Sequence, residues 1–401
     1  MEIQPPSQPP VTALILTGGG ARAAYQVGVL KAVAELLPQQ ANPFRVILGT
    51  SAGAVAAAVL AARAEHWHQA VAAIEHVWAN FRTSQVFDVR RRSMVRTGLH
   101  WILSLVSGGL LVRAPRSLFD NTPLRELLKR EVRWRGVGRS IRHGWLDALA
   151  LCSTEFATAR SVAFFEGQAG LSEWSDYNHV GRRMRLTLSH LMASMAVPLM
   201  FPPEQIGEEF YGDGAVRQMA PLAPALRLGA NRMLIIGMRA ARDGGVSERR
   251  SGPRAAPTLG QLAGFALDNL FTDQIYSDLE RIERVNQVLG LQPLLLPGSR
   301  VVEKIVFLTP SRDPREIAAE HLASLPPALR ALLRVSGASS TAGAQLASYL
   351  MFEGEYTRAL IALGRRDTLA RAADIRELLS APPAPEVAQP VPPIAPPAVP
   401  A

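Results

Sequence analysis

The sequence predicts an α/β fold, a three-layer α/β/α sandwich around a mainly parallel central sheet. Three observations predict it. Short apolar runs alternate with helical patterns from residue 11 onward, a helix-length segment joins the first two runs, and glycine clusters stand at the run-to-helix junctions. Strands separated by a whole helix pair in parallel, whereas an antiparallel pair needs only a tight turn.

The elements follow in order. "VTALILT" (11–17) reads as a buried strand, and "ARAAYQVGVLKAVAELL" (21–37) as a helix ended by Pro38. "RVILGT" (45–50) is a second strand, followed by a helix from Ala52. "WLDALALCSTEF" and "SVAFFEG" read as neighbouring strands, and residues 232–238 and 303–309 as two more. Residues 262–289 carry one long helical pattern, while 239–257 is polar, Gly/Pro-punctuated and expected to be a surface loop. The expected organisation is a Pro-rich segment over 1–10, an α/β core over 11–240, and a helical part with one further strand over 241–380, packed on the core. Nine prolines in the last 20 residues make 381–401 an extended, disordered tail.

Composition narrows the function. With 48% apolar and 19% charged residues, the 401-residue chain builds a sizeable core. The net charge of +9 invites a nucleic-acid partner. Yet only Lys31, Lys129 and Lys304 are lysines among 43 basic residues, and the chain is rich in alanine. A bias in coding composition gives the same result, and no nucleic-acid-binding motif accompanies the charge, so no nucleic-acid partner is expected. The single Cys152 lies in an apolar run and reads as a buried structural thiol. The N-terminus shows no secretory pattern, and the apolar run Trp101 to Val112 is too short to cross a bilayer. The expected location is cytoplasmic or peripheral to a membrane.

Two glycine clusters carry the chemistry. Gly49-Thr50-Ser51-Ala52-Gly53 joins a strand to a helix, where small residues allow a tight turn that presents the serine hydroxyl. A passive serine in a tight turn is the alternative. Gly18-Gly19-Gly20 follows the first strand and opens the first helix, with Arg22 just inside it. Backbone N–H groups in such a loop make a site for a phosphate or an oxyanion. A dinucleotide fingerprint fails because Ala23 takes its third glycine position, and no Gly-Lys-Ser/Thr phosphate loop is present. Both loops leave the same edge of a parallel sheet, so amide donors face a serine, as acyl transfer requires. The Ala52 N–H adds a further donor.

A serine nucleophile needs a base. None of the eight histidines (66, 68, 76, 100, 143, 179, 190 and 321) sits in a glycine-punctuated loop after a clear strand; His321 fits a triad by chain order but stands in a helical pattern. The better candidate is Asp213, in "EEFYGDGAVRQMAPL" (208–222), where a carboxylate in a turn is otherwise a capping residue.

Gly18-Gly19-Gly20-Ala21-Arg22, Gly49-Thr50-Ser51-Ala52-Gly53 and Asp213-Gly214-Ala215 resemble, in order, the three signatures of the patatin-like phospholipases. "SHLMASMAVPLMFPPEQIGEEFYGDGA" (189–215) is similar to the run before that family's aspartate, and the likeness covers most of 11 to 240. The resemblance implies a Ser51–Asp213 dyad, an oxyanion hole from Gly18, Gly19 and Gly20, and cleavage of acyl esters of phospholipids or related lipids through an acyl-enzyme. Ala23 departs from the family's glycine and implies a modest change in loop geometry. Gly49, Gly53 and Gly214 are expected to support the loops, and Arg22 either steadies a substrate phosphate or pairs within the fold. No metal and no cofactor are expected. An acyltransferase or thioesterase on the same dyad, or a lipid-binding module with weak catalysis, are the alternatives. Residues 82–116 hold seven arginines and one acidic residue around an apolar centre. They read either as an interfacial lid on anionic lipid or as a core helix with solvated ends.

Overall fold

A computed structural model describes residues 10–37, 42–88, 99–100, 103–104, 106–107, 117–218, 220–240, 256, 258–271, 273–291, 302–335 and 344–380. Strand β1 (Thr12–Leu16) leads through a 3-10 turn (Gly20–Ala23) into helix α1 (Ala24–Leu36); β2 (Val46–Thr50) leads into α2 (Ala52–Ala62). After α3 (Trp67–Ala79) come α4 (Thr122–Glu131) and α5 (Trp134–Arg142), then β3 (Ala148–Glu155) and β4 (Arg160–Gly167). β5 (Trp174–Ser175), β6 (His179–Arg183), α6 (Leu188–Ser194), β7 (Glu204–Ile206) and β8 (Glu209–Asp213) follow. The remaining elements are α7 (Ala223–Arg227), β9 (Arg232–Ile236), α8 (Leu259–Phe271), α9 (Asp273–Leu291) and β10 (Lys304–Leu308). The chain closes with α10 (Pro314–Glu320), α11 (Pro327–Val335), α12 (Ala344–Leu350), α13 (Gly354–Ala370) and α14 (Ala372–Leu379).

The ten described strands form one sheet. β10, β9, β1, β2 and β3 lie side by side in parallel. Beyond β3 the sheet turns mixed: β4 is antiparallel to β3, β6 parallel to β4, and β5 antiparallel to β6. The mainly parallel α/β sandwich expected from the sequence is the observed fold. All five residues of β1 and of β2 are buried, as befits strands covered on both faces. Leu14, Leu16, Ile47, Leu149 and Leu151 pack on one face with α1, α2 and α3. Ala13, Ile15, Val46, Leu48 and Ala148 pack on the other, beneath α7 and α9.

Residues 262–289 form parts of two helices rather than one. The pattern serves opposite faces of the sheet: Leu267 and Phe271 of α8 join the first core, while Ile275 and Ile282 of α9 join the second. A single straight helix would reach only one of them.

β3 pairs with two strands along one edge. β2 occupies its first part, ending at Thr50 opposite Cys152. β8 arrives antiparallel on the continuation, with Asp213 opposite Ser153. Ser51 and Asp213, 162 residues apart in sequence, therefore meet end to end beside adjacent residues of one strand.

Candidate active site

Ser51 stands between β2 and α2 with φ 53° and ψ −128°, a positive φ that non-glycine residues seldom adopt. The turn is tight because α2 starts against β1. A Cβ on Gly53 would lie 2.3 Å from the Leu16 carbonyl oxygen, so only glycine fits there. Gly49 lies under Ala54 in the same crowded junction.

The glycine loop lies directly against this serine. A Cβ on Gly18 would come within 3.0 Å of Ser51 Cβ, and would strike the Phe271 ring. Gly19 packs on Met238, and Gly20, at φ 55°, lies under the Tyr349 carbonyl. The N–H groups of Gly18, Gly19 and Ala52 make no hydrogen bond to any described residue. Donors left open beside this serine suit a developing oxyanion.

Asp213 ends β8 and is 1% exposed. Its N–H donates to the Ala196 carbonyl at 2.9 Å, and its own carbonyl accepts from Thr154 Oγ1 at 2.9 Å. Oδ1 accepts from the Ala215 N–H at 2.9 Å, while Oδ2 has no hydrogen-bond partner of ordinary geometry among the described residues. Gly214 admits no side chain, since a Cβ would meet the Cys152 carbonyl at 2.4 Å. Burial pushes the Asp213 carboxyl up from the usual carboxylate range to about 7, with the Ser51 hydroxyl and the Ala215 N–H pulling it back down. Ser51 thus acts on this carboxyl without closing an ideal hydrogen bond to it. Its burial makes Asp213 a group that titrates near neutrality.

Arg22 does not reach toward a ligand. Its side chain is buried and bound within the fold: Nη1 donates to Asp268 Oδ1 at 2.8 Å and to Tyr349 Oη at 3.0 Å, and Nε to Ser348 Oγ at 2.8 Å. Tyr349 Oη in turn donates to Asp268 at 2.6 Å. Of the two roles expected for Arg22, pairing within the fold is the one observed: it ties the glycine loop to α8 and α12.

Gly20, Ser51 and Ala52 line a cavity. Ala52, Val55 and Val59 line it from one face of α2, Ile74, Val77 and Trp78 from α3, and Leu124, Leu127 and Leu128 from α4. Among the described residues, Glu131 is its one charged lining residue and no histidine lines it. One turn beyond Val59, Gly136 of α5 presses on Ala62, where a Cβ would meet the carbonyl oxygen at 2.1 Å. That contact closes α5 against the far end of α2.

Most of 82–116, the segment expected to form a lid or a core helix, lies outside the described residues, as do 1–9 and 381–401. Among its described residues, Val86 and Phe87 are buried, and Val86 lines the cavity. Among the described residues, no helix is long and apolar enough to cross a membrane. Sequence reasoning missed Ser194, Asp268, Phe271 and Tyr349. Ser194 lies inside "SHLMASMAVPLMFPP", a stretch whose pattern was legible as a whole but not residue by residue.

An α/β sandwich with a serine at a strand-to-helix turn, open amide donors beside it and an apolar cavity leading away is an architecture suited to acyl lipids. The chain belongs to the patatin-like phospholipase family, whose model matches residues 14–226, more than half of its length. That family acts on lipids as acyl hydrolases. Among solved structures, the chain is similar to VipD from Legionella pneumophila, at 11% identity and a TM-score of 0.37. The match covers 92% of this chain and 67% of that one. No curated protein sequence gives a significant match.

Proposed function

We propose that this protein hydrolyses carboxylic esters of phospholipids or lysophospholipids, with Ser51 as nucleophile and Asp213 as base. The observation that carries this reading is the placement of Ser51 between a buried, unpaired carboxylate oxygen and an almost wholly apolar cavity. The acyl chain lies along α2, from Ala52 past Val55 to Val59, and its ester carbonyl sits at Ser51.

As Ser51 Oγ attacks the carbonyl carbon, its proton passes to Asp213 Oδ2. The carbonyl oxygen becomes an oxyanion and accepts hydrogen bonds from the N–H groups of Gly18, Gly19 and Ala52, with Gly20 shaping the loop. The proton then goes to the leaving alcohol oxygen as the ester C–O bond breaks, giving the acyl-enzyme. Water attacks that ester next, its proton taken by Asp213; as the bond between the acyl carbon and Ser51 Oγ breaks, Asp213 returns that proton to Oγ and the fatty acid leaves. A carboxyl titrating near 7 suits this work better than one at the ordinary carboxylate value, because it both accepts and returns a proton at neutral pH.

The test is hydrolysis of p-nitrophenyl esters and of mixed-acyl phosphatidylcholine by the full chain, beside Ser51→Ala and Asp213→Asn. Both variants, folded by circular dichroism, are expected to lose turnover by on the order of 10³-fold or more. Wild-type rates in both would overturn the dyad. The identity of the released fatty acid gives the position of the cleaved ester.

A further inference from the structure

The pairing of β2 with β3 stops at Thr50 opposite Cys152, and β8 takes over one residue later. Between the two, the backbone of Ser51 does not reach β3 directly. Its N–H donates to Ser194 Oγ at 3.1 Å, and Ser194 Oγ donates to the Cys152 carbonyl at 2.6 Å. A hydroxyl has one proton. A carbonyl only accepts, so the proton lies on the Cys152 bond and a lone pair faces Ser51. Ser194 is fully buried. It is the last residue of α6, a helix fixed at its other end by the Thr187 N–H bonded to His190 Nδ1 at 3.0 Å.

We infer, resting on the function proposed above, that Ser194 is the positioning residue of this site. Its hydroxyl wedges β2 away from β3, holds Ser51 in its positive-φ turn and keeps open the gap that Asp213 enters. Without it, the Ser51 N–H and the Cys152 carbonyl are two buried backbone groups with no partner. They remain unpaired or close on each other, and either outcome shifts Ser51 relative to Asp213. A displacement of about 1 Å at a reacting centre costs on the order of 10²-fold in rate.

The experiment uses the full chain and an alkyl fluorophosphonate, with the adduct located by mass spectrometry. An adduct on Ser51 of the wild type supports the proposed nucleophile; neither adduct nor ester turnover would overturn that reading and the role of Ser194 with it. In Ser194→Ala, kcat and the labelling rate are expected to fall about 10- to 100-fold, with KM held within about threefold. The acid limb of the pH–rate profile should move to higher pH, because a displaced Ser51 hydroxyl no longer holds the Asp213 carboxyl down. A role in stability alone would leave that limb in place. Should the alanine variant fail to fold, Ser194→Cys keeps the volume with a weaker hydrogen-bonding group, and the same changes are expected in smaller measure. A folded variant with the wild-type rate and acid limb overturns the inference, while a labelled Ser51 leaves the proposed function standing.

Discussion

At the scale of single residues, Asp213 links activity to stability. The folded protein holds this proton more tightly than the unfolded chain does, because burial raises the carboxyl from 3.8 to about 7. The stability gained from the protonated form is fully present below the unfolded value and is lost as pH rises through about 7. That linkage is worth roughly 4 kcal/mol. Asp213→Asn is neutral at every pH, so it should be more stable than the wild type at pH 8 and nearly equal at pH 4. Urea unfolding at the two pH values checks this. The wild-type esterase rate should meanwhile climb as the carboxyl ionises near pH 7. Ser51 and Asp213 were legible because each lies in a short motif with glycines at fixed offsets. The raised pKa was not, since it comes from neighbours remote in sequence.

At the scale of elements, α2 serves two purposes. Its first turn carries Ser51 and the open Ala52 N–H, and its length forms one wall of the cavity. From Ser51 to Val59 is about 12 Å along the axis. Val59→Phe places a ring at the far end, and kcat/KM for long-chain esters is expected to fall about tenfold. Hydrolysis of the acetate ester should be unchanged, and a series of p-nitrophenyl esters of increasing length reads out the difference. The sequence marked α2 as a helix after a nucleophile turn but gave no sign of the cavity, which α2, α3 and α4 build together with residues of α8, α12 and the 195–201 segment. For the same reason the division between α8 and α9 was hidden: the apolar period is continuous, and only the sheet edge tells which face each part covers.

At the scale of the whole molecule, the region beyond the family match completes the site's foundation. The match ends at residue 226, yet Arg22 of the glycine loop is held by Asp268, Ser348 and Tyr349. Asp268→Asn would leave Arg22 buried without a full counter-charge, at an expected cost of about 3–5 kcal/mol by urea unfolding. Arg22→Met combined with Asp268→Leu should recover part of that loss. These contacts span more than 240 residues, and no local pattern announces them.

The shared edge of β3 also governs what length changes the chain tolerates. Side chains alternate across a strand, so one residue inserted within β8 would turn the carboxylate at its end to the opposite face. Two would restore the face but carry it roughly 7 Å along the sheet. The separation of serine and carboxylate is thus adjustable only in whole steps of the ladder, never by small degrees. Loops remote from the Ser51 turn, the glycine loop and α6, by contrast, do not set that separation. Insertions and deletions should accumulate there freely, and the stretch Glu209–Asp213 should keep its length wherever the dyad is kept.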